Sequence, residues 1–178
     1  GAFPVVQPNG GLVIVYLWLG RRIGASFSAD GGATFAQPAT VAELQVRTVR
    51  GLRFFPLPSA TADASGRVWA TWHDCRFDAG CERNSVVVAT TADGRNWTAP
   101  ARVTSGRHVY IPAIGAHSSG QLAIAYHVLQ PGGGVDVELV ELRAGANGRP
   151  AGVSRPKRLS ARTMRPEICS MRLAEAAK

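Results

Sequence analysis

Residues 58–73 read PSATADASGRVWATWH, and residues 112–127 repeat the same pattern as PAIGAHSSGQLAIAYH. In both stretches a proline stands eight residues before a glycine, and the glycine opens an apolar segment rich in β-forming residues. A shorter copy, PVVQPNGG, starts at Pro4 and leads into the apolar segment LVIVYLW. A repeat of this period predicts a chain built from copies of one supersecondary unit. The glycines that open the three segments are spaced by 55 and 54 residues: Gly11, Gly66 and Gly120.

The three copies also end alike, with a second apolar segment, a glycine-containing turn and a Pro-x-x-apolar closing segment. The turns read ADGGATF, ADGRNW and AGANGRP, and the closing segments place corresponding apolar residues at Val41, Val103 and Leu159. Each copy therefore predicts four strands, which in the second copy fall near 54–63, 66–73, 84–91 and 99–104. Helical periodicity is nearly absent. An all-β fold of four-stranded antiparallel β-propeller blades fits this pattern, and a β-sandwich with chance repetition is the alternative.

The copies divide the chain into three predicted blades of approximately 1–45, 53–104 and 108–160. Residues 161–178 are interpreted as the start of a further blade or a tail. Propellers close with roughly four to eight blades, so three blades predict part of a larger ring, with six blades the expected number. Open sheet edges favour association. We therefore expect either self-association of this chain or further blades that the chain does not contain.

Composition narrows the class of partner. Apolar residues make up 46% of the chain, its formal net charge is +8, and nearly all of its 20 basic residues are arginine. Arginine binds carboxylates in a planar two-point grip, so an acidic partner fits, although scattered, solvated arginines explain the charge equally well. The basic residues form no stripe interleaved with aromatic residues, which argues against nucleic acid. No apolar run is long enough for a membrane span, and no signal peptide is visible.

The three cysteines point to one disulfide. Cys75 and Cys81 lie within a single predicted loop, whereas Cys169 has no evident partner. A Cys75–Cys81 disulfide predicts a secreted or cell-surface protein, because such bonds persist in oxidising compartments. Two reduced thiols in a cytosolic protein are the alternative. Pairs of the CxxC type are absent, so the cysteines do not predict a zinc site.

Two of the turns carry a recognisable pattern. The first matches Ser/Thr-x-Asp-x-Gly-x-Thr-Trp/Phe, and the second is one residue shorter. At this point the chain resembles the sialidase-like (neuraminidase superfamily) propellers with BNR, or Asp-box, repeats, over about residues 1–160. The third copy keeps only the Gly-Asn-Gly turn around Asn147. The residues that carry the resemblance are Ser28, Asp30, Gly32, Thr34 and Phe35 in the first turn and Thr91, Asp93, Gly94 and Trp97 in the second.

The Asp-box residues have a structural explanation. A tight hairpin leaves backbone N–H groups unpaired, and an aspartate carboxylate can fold back to accept them. Glycine supplies the positive φ that the bend needs, and the aromatic residue is expected to pack between sheets and anchor the hairpin. Asp30 and Asp93 are therefore interpreted as structural rather than catalytic residues.

The resemblance also predicts where a ligand binds. In this family the Asp boxes lie on the edge opposite the ligand, whereas the loops between second and third strands and the connections between blades lie on the ligand face. The longest such loop, residues 73–84, concentrates charged residues. Its Asp74–Arg76 and Glu82–Arg83 groups are open to a second interpretation, in which they only brace the loop. The ligand-binding candidates on this face are Arg53, Asp74, Arg76, Tyr110 and His127, with Arg76 as the preferred anion contact.

The catalytic set of the enzymes does not transfer to this chain. Sialidases of this fold use three arginines, a Tyr–Glu nucleophile pair and an aspartate, and Tyr110 stands where the first arginine would be expected. No catalytic residue, metal site or cofactor is therefore assigned, and little turnover is expected from this chain alone. Its expected function is binding of a carbohydrate or acidic glycan, or a role related to glycoside hydrolysis. The alternative is a protein-binding or structural propeller of an exported protein, since fold does not fix function.

Overall fold

A computed structural model describes residues 1–49 and 55–165, and this part of the chain is built from antiparallel β-sheets. The first sheet contains four strands in sequential order, with connections of three to ten residues. The second sheet repeats the same order. Their strands are β1 (Ala2–Val6), β2 (Leu12–Trp18), β3 (Arg22–Ser28) and β4 (Ala39–Glu43), followed by β5 (Ser59–Ala62), β6 (Val68–Asp74), β7 (Ser85–Thr91) and β8 (Ala101–Arg102).

The third sheet has a divided outer strand. Strands β9 (Val109–Ala116), β10 (Gln121–Leu129) and β11 (Val135–Ala144) follow one another, and two short strands then pair with β11. These are β12 (Pro150–Ala151), opposite the end of β11, and β13 (Lys157–Arg158), opposite its middle. Within the described residues the only helical elements are single 3-10 turns at Ala79–Cys81 and Ala146–Gly148. The all-β, four-stranded architecture predicted from the sequence is confirmed.

Strand pairing corrects one of the predicted equivalences. The turn between the first two strands of each sheet places a glycine at a φ near +80°, where a side chain would be strained. These glycines are Gly10, Gly66 and Gly120, at φ values of 85°, 82° and 80°. The predicted equivalence of Gly11 with Gly66 and Gly120 is therefore wrong by one residue. The other predicted equivalence, of Val41, Val103 and Leu159, is correct. In β4, β8 and β13, each of these residues directly follows a residue that occupies the same pairing position in its sheet.

Two apolar cores join the three sheets. The side of β6 that carries Val68, Ala70 and Trp72 packs on the first sheet, against residues that include Val13 and Val15. The opposite side of the second sheet packs on the third sheet, and its buried residues there include Trp69, Val86 and Val88. Strands β6 and β7 are consequently buried on both faces. Successive sheets stacked face to face around their first strands form the arrangement of propeller blades.

The first and third sheets each keep one face without a neighbour in the described structure. On β2 and β10 the burial pattern alternates between buried and half-buried residues, unlike the continuous burial of β6. On β2, the half-buried residues of this face are large and apolar: Leu12, Ile14, Tyr16 and Trp18. We refer to this set as the outer face of the first blade.

Several predictions from the sequence fall beyond the described residues. Arg53 and the start of the predicted strand 54–63 belong to residues 50–54, and Cys169 belongs to residues 166–178. The described part of the tail continues along the third sheet, where Met164 pairs with Val135. The exact blade boundaries and the role of 161–178 remain predictions. In the described residues, no helix has the length and apolar character needed to cross a membrane.

Candidate functional site

Strand direction sorts the loops onto two edges of the sheets. One edge carries the loops between second and third strands and the connections between sheets, and we call it the connection edge. Its described residues are 19–21, 44–49, 55–58, 75–84, 103–108 and 130–134. The other edge carries the turns between first and second and between third and fourth strands, and we call it the turn edge. Its residues are 7–11, 29–38, 63–67, 92–100, 117–120 and 145–149.

The longest loop of the connection edge is fixed at several points. A disulfide joins Cys75 to Cys81, whose Cα atoms are 4.8 Å apart. The Cys75 N–H donates to the carbonyl of Gln45 at 2.7 Å, which attaches the loop to the connection between the first two sheets. Within the loop, the Asp78 N–H bonds the Cys75 carbonyl at 2.9 Å. The loop therefore presents its side chains from a rigid frame.

Asp74 and Arg76 form a buried ion pair inside this frame. The Arg76 Nε and Nη2 atoms lie 2.9 and 2.6 Å from the two carboxylate oxygens of Asp74, and Nη2 also bonds the carbonyl of Glu43. Asp74 is fully buried and accepts a further bond from Trp72 Nε1 at 3.1 Å. Burying a carboxylate is costly unless it is paired in this way. The geometry favours the bracing role that the sequence left open for this pair.

Asn84 joins the loop to its neighbours, a role that was not predicted from the sequence. Its side-chain oxygen accepts the Arg47 N–H at 2.9 Å and its amide nitrogen donates to the Arg47 carbonyl at 2.8 Å. Its own carbonyl accepts the Val109 N–H at 3.1 Å, and its amide lies 3.3 Å from His108 Nε2. One fully buried asparagine thus joins both inter-sheet connections to the loop. Only its position at the end of a long loop could have signalled this role.

Tyr110 and His127 lie opposite each other on adjacent strands. Their rings stack at a centroid separation of 5.4 Å on adjacent strands β9 and β10. Tyr110 is buried, and burial raises the pKa of its hydroxyl. Its accessibility to a ligand is consequently small, so its predicted contact role stays a proposal.

His73 connects these strands to the ion pair. Its Nδ1 accepts the N–H of Ile111 at 3.2 Å, and burial lowers the pKa of His73 to about 4, with Asp74 opposing and His108 reinforcing this shift. The imidazole is therefore neutral at pH 7, with its proton on Nε2. Through this bond, the strand end that carries Asp74 is held against the strand that carries Tyr110.

Ile111 lies in β9, next to the connection edge, and its backbone is strained. Its φ is +47°, a value that β-branched residues rarely adopt, and its side chain is 40% exposed. Such backbone conformations persist where the surrounding structure imposes them, and they cluster at functional sites. Other large apolar side chains are exposed on the same edge. These are Leu19, Phe55, Leu57 and Phe77.

The turn edge shows how the predicted Asp-box residues are used. Asp30 Oδ1 and Oδ2 accept the Thr34 N–H at 2.9 Å and the Thr34 hydroxyl at 2.6 Å, and Ser28 Oγ donates to Asp30 Oδ1 at 2.7 Å. The Gly32 N–H donates to Ser28 Oγ at 2.8 Å. Hydrogen bonds from Thr34 and Ser28 hold the pKa of Asp30 well below its usual value. These contacts all lie within one turn.

The second turn repeats the arrangement with different donors. Asp93 Oδ1 accepts the N–H groups of Arg95 and Asn96 at 2.9 and 2.8 Å, and Thr91 Oγ1 donates to it at 2.9 Å. Burial raises the pKa of Asp93, but the bonds from Asn96, Arg95 and Thr91 outweigh it and lower the pKa well below its usual value. The φ of Gly94 is +72°, and a Cβ there would lie 2.4 Å from the Phe27 ring.

The expected packing of the turn aromatics holds for one of the two. Trp97 packs against the core between the first and second sheets. Phe35, its counterpart, is 47% exposed, so the expectation that it packs between sheets was wrong. Trp97 contacts the preceding sheet, and no sheet precedes the first one in the described structure. Phe35 therefore has no sheet to pack against there and is exposed to solvent.

A carboxylate turn that the sequence analysis missed lies at Asp63. Its Oδ1 accepts the Ser65 N–H at 2.9 Å and the Ser65 hydroxyl at 2.6 Å, and its Oδ2 accepts Trp69 Nε1 at 2.8 Å. The signal was the spacing of Asp, Ser and Gly within 63–66, which is typical of an Asx turn. Among the described residues, no group of three or more His, Cys, Asp and Glu side chains could hold a metal ion.

Comparison with known proteins identifies the architecture. No family model matches the chain, and no curated protein sequence matches it. Solved structures do match the chain. One is a Hadza microbial sialidase, which has 16% sequence identity and a TM-score of 0.59 over 87% of this chain. The fold is that of part of a sialidase-like β-propeller.

Two arabinan-related propeller enzymes match as well. The Penicillium chrysogenum α-L-arabinanase, solved with arabinobiose, has 17% identity and a TM-score of 0.59 over 89% of this chain. The GH93 α-L-arabinofuranosidase of Fusarium graminearum has 13% identity and a TM-score of 0.53 over 84% of it. The chain spans 37%, 49% and 45% of the three matched chains. It therefore corresponds to less than half of each propeller.

Proposed function

We propose that this chain is a carbohydrate-binding propeller domain that holds its ligand on the connection edge. The observation that carries the proposal is the exposure of large apolar side chains on that edge, among charged residues. Phe55 is 55% exposed, and Phe77 and Ile111 are also exposed. Sugar rings present C–H faces that stack on such side chains, with polar groups nearby to fix their orientation. The arabinobiose that the matched arabinanase binds fits the same class of ligand.

The proposed domain binds without hydrolysing. Glycoside hydrolysis needs two carboxyl groups placed on either side of the scissile bond. Asp74 is buried and paired with Arg76, and Asp78 is paired with Arg83 at 3.2 Å. Asp74 and Asp78 are thus engaged in holding arginines, and the third carboxylate of the loop, Glu82, is exposed without a second carboxylate to work with. We expect no sialidase or arabinanase turnover from this chain alone.

Arg76 has a different role in this proposal from the one first assigned to it. Its guanidinium already contacts Asp74 and the Glu43 carbonyl, so it acts as a positioning group that fixes the loop. In this proposal, an arginine more exposed than Arg76 contacts the anionic group of the ligand. One such residue is Arg102, whose guanidinium lies 6.0 Å from the Phe77 ring centroid.

An extracellular location belongs to the same proposal. The Cys75–Cys81 disulfide is compatible with an oxidising compartment, where glycans are presented to binding proteins. A protein partner is the second candidate, because exposed apolar side chains such as Phe55 and Leu57 fit a protein surface as well as a sugar.

A glycan array with matched variants tests the proposal. Phe55→Ala removes an exposed ring from the connection edge, and Phe35→Ala removes a similarly exposed ring from the turn edge. We expect the wild-type chain to bind a subset of glycans, Phe55→Ala to weaken that binding by roughly tenfold, and Phe35→Ala to leave it unchanged. Equal loss in both variants would contradict the assigned edge. Absence of any glycan binding, together with binding of a protein partner, would favour the second candidate.

A further inference from the structure

A second candidate site lies at the outer rim between the second and third sheets. It is a cleft of about 390 Å³, a volume in the range of small-ligand sites. One wall comes from residues 103–107, which follow strand β8, and the facing wall comes from residues 153–156. Its floor is formed by residues of β9, β10 and β11: Val109, Tyr126, Glu138 and Val140.

The divided outer strand of the third sheet opens this cleft. Between β12 and β13 the chain is fixed at Ser154, whose N–H donates to the Glu141 carbonyl at 2.8 Å and whose Oγ accepts the Glu141 N–H at 3.0 Å. Val153, Arg155 and Pro156 flank this point and are exposed. A continuous outer strand would instead pair along β11.

The floor of the cleft carries a buried acidic side chain. The Tyr126 hydroxyl donates to Glu138 Oε2 at 3.3 Å, and Arg107 Nη1 lies 2.9 Å from Glu138 Oε1. Glu138 is 5% exposed and Tyr126 is 2% exposed. Burial and the neighbouring Glu138 raise the pKa of Tyr126, so its hydroxyl remains a proton donor at neutral pH.

The second sheet shows that the fold does not need this acid. Tyr126 pairs with Glu138 across β10 and β11, and the corresponding pair across β6 and β7 is Trp72 and Val87. Both members of that pair belong to the apolar core between the first two sheets. Burying a carboxylate such as that of Glu138 costs free energy that apolar residues of similar volume do not cost. The Tyr126–Glu138 pair therefore points to a role beyond packing.

The groups around the floor define the ligand. Arg107 and Arg155 line the cleft with Glu138, which gives its lining two positive charges and one negative charge. The remaining lining includes apolar side chains that can pack on C–H groups: Val103, Val109, Val140, Val153 and Pro156. A ligand that fits combines an anion for the guanidinium groups, hydroxyl groups for Glu138 and an apolar ring face.

We propose that this cleft binds a carboxylated monosaccharide unit of the hexuronate type. The sugar carboxylate pairs with Arg155, the ring hydroxyls donate to Glu138, and one ring face packs on the valine side chains of the walls. One wall of the cleft, residues 103–107, belongs to the connection edge, but none of the lining residues belongs to the exposed apolar set that carries the proposed function. The cleft is therefore a second, different site on that edge.

Titration of the chain with glucuronate, followed by amide chemical shifts, tests the proposal. We expect saturation at one site per chain, with shifts centred on residues 103–109 and 153–156. Glucose, which lacks the carboxylate, and acetate, which lacks the ring, are expected to bind at least roughly tenfold more weakly, since each loses a charge-assisted or packing contribution. Absence of saturable glucuronate binding, or equal affinity for glucose, would overturn the proposal.

Two variants separate ligand binding from folding. The double substitution Tyr126→Trp with Glu138→Val copies the Trp72–Val87 pair of the second sheet, so the melting temperature should be maintained while glucuronate binding is lost. Arg155→Ala removes an exposed side chain and should weaken binding roughly tenfold. Arg149→Ala is the matched control, because Arg149 is also exposed but lies on the turn edge.

The outcomes also separate this proposal from the connection-edge site. Unchanged glucuronate affinity in Arg155→Ala or in the double variant would overturn the cleft assignment, even if the array shows glycan binding. Loss of glucuronate binding in Phe55→Ala would place that binding at the exposed apolar side chains around Phe55 and would equally overturn it. Loss in the cleft variants alone, with Phe55→Ala unaffected, is the expected result.

Discussion

At the scale of single residues, the polar side chains of this chain divide into those that hold the fold and those that meet solvent. Asp74 and Asn84 are fully buried, and each bonds several segments at once. The sequence indicated that loop 73–84 carries charge on the expected edge. It did not distinguish contact residues from bracing residues, because the partners of Asp74 and Asn84 lie up to 37 residues away in sequence.

Removal of Arg76 is expected to affect stability before binding. Arg76→Ala leaves the carboxylate of Asp74 buried without its cation, and breaking a buried pair in this way costs about 3 kcal/mol of unfolding free energy. Arg22→Ala is the control, because the Arg22–Glu43 pair is exposed on both sides and should cost under about 1 kcal/mol. Urea titration of both variants measures the difference. A stable Arg76→Ala chain with abolished glycan binding would restore Arg76 as the anion contact.

At the scale of elements, the turns were the most predictable feature. Asp30 and Asp93 were assigned structural roles from their spacing alone, and each accepts backbone N–H groups within its own turn. Local hydrogen bonding of this kind depends on neighbouring residues, so it can be inferred from sequence. The position of the glycine in the first turn could not be inferred in this way. Gly10 and Gly11 are consecutive, so either could occupy the turn, and only the strand pairing decides between them.

The turn aspartates predict loss of stability in acid. Asp30 and Asp93 have pKa values lowered by folding, so their contribution is present above the unfolded aspartate pKa of about 4 and is lost as pH falls towards their folded values. Thermal melts between pH 2.5 and 7 should show a decline below about pH 4. Asp30→Asn with Asp93→Asn should reduce the slope of that decline. An unchanged slope would show that these carboxylates do not couple folding to pH.

At the scale of the whole molecule, the three repeated sheets differ in which of their faces are covered by a neighbouring sheet. The second sheet is buried on both faces, whereas the first and third each keep one face without a neighbour in the described structure. The exposure of Phe35 has the same origin, since its counterpart Trp97 packs on a preceding sheet. The sequence predicted the repeat and the open ends from its period. The interrupted outer strand of the third sheet was not predicted, since 150–158 resembles an ordinary closing segment.

The open faces predict association of the chain in solution. The outer face of the first blade presents Leu12, Ile14, Tyr16 and Trp18, and an uncovered apolar sheet face favours a partner of the same kind. Light scattering should therefore give a mass above that of one chain. Ile14→Lys should lower that mass while the chain remains folded. A compact monomer for the wild-type chain would contradict this expectation.

The central claim is that ligands bind on the connection edge, whereas the turn edge stabilises the fold. Amide hydrogen exchange, measured with and without a glycan identified on the array, tests this claim most directly. Peptides that cover 55–58 and 76–83 should exchange more slowly when the glycan is bound. Peptides that cover the turns 28–36 and 91–98 should exchange at the same rate with and without it. Protection confined to the turn peptides, with none at 55–58 or 76–83, would contradict the account.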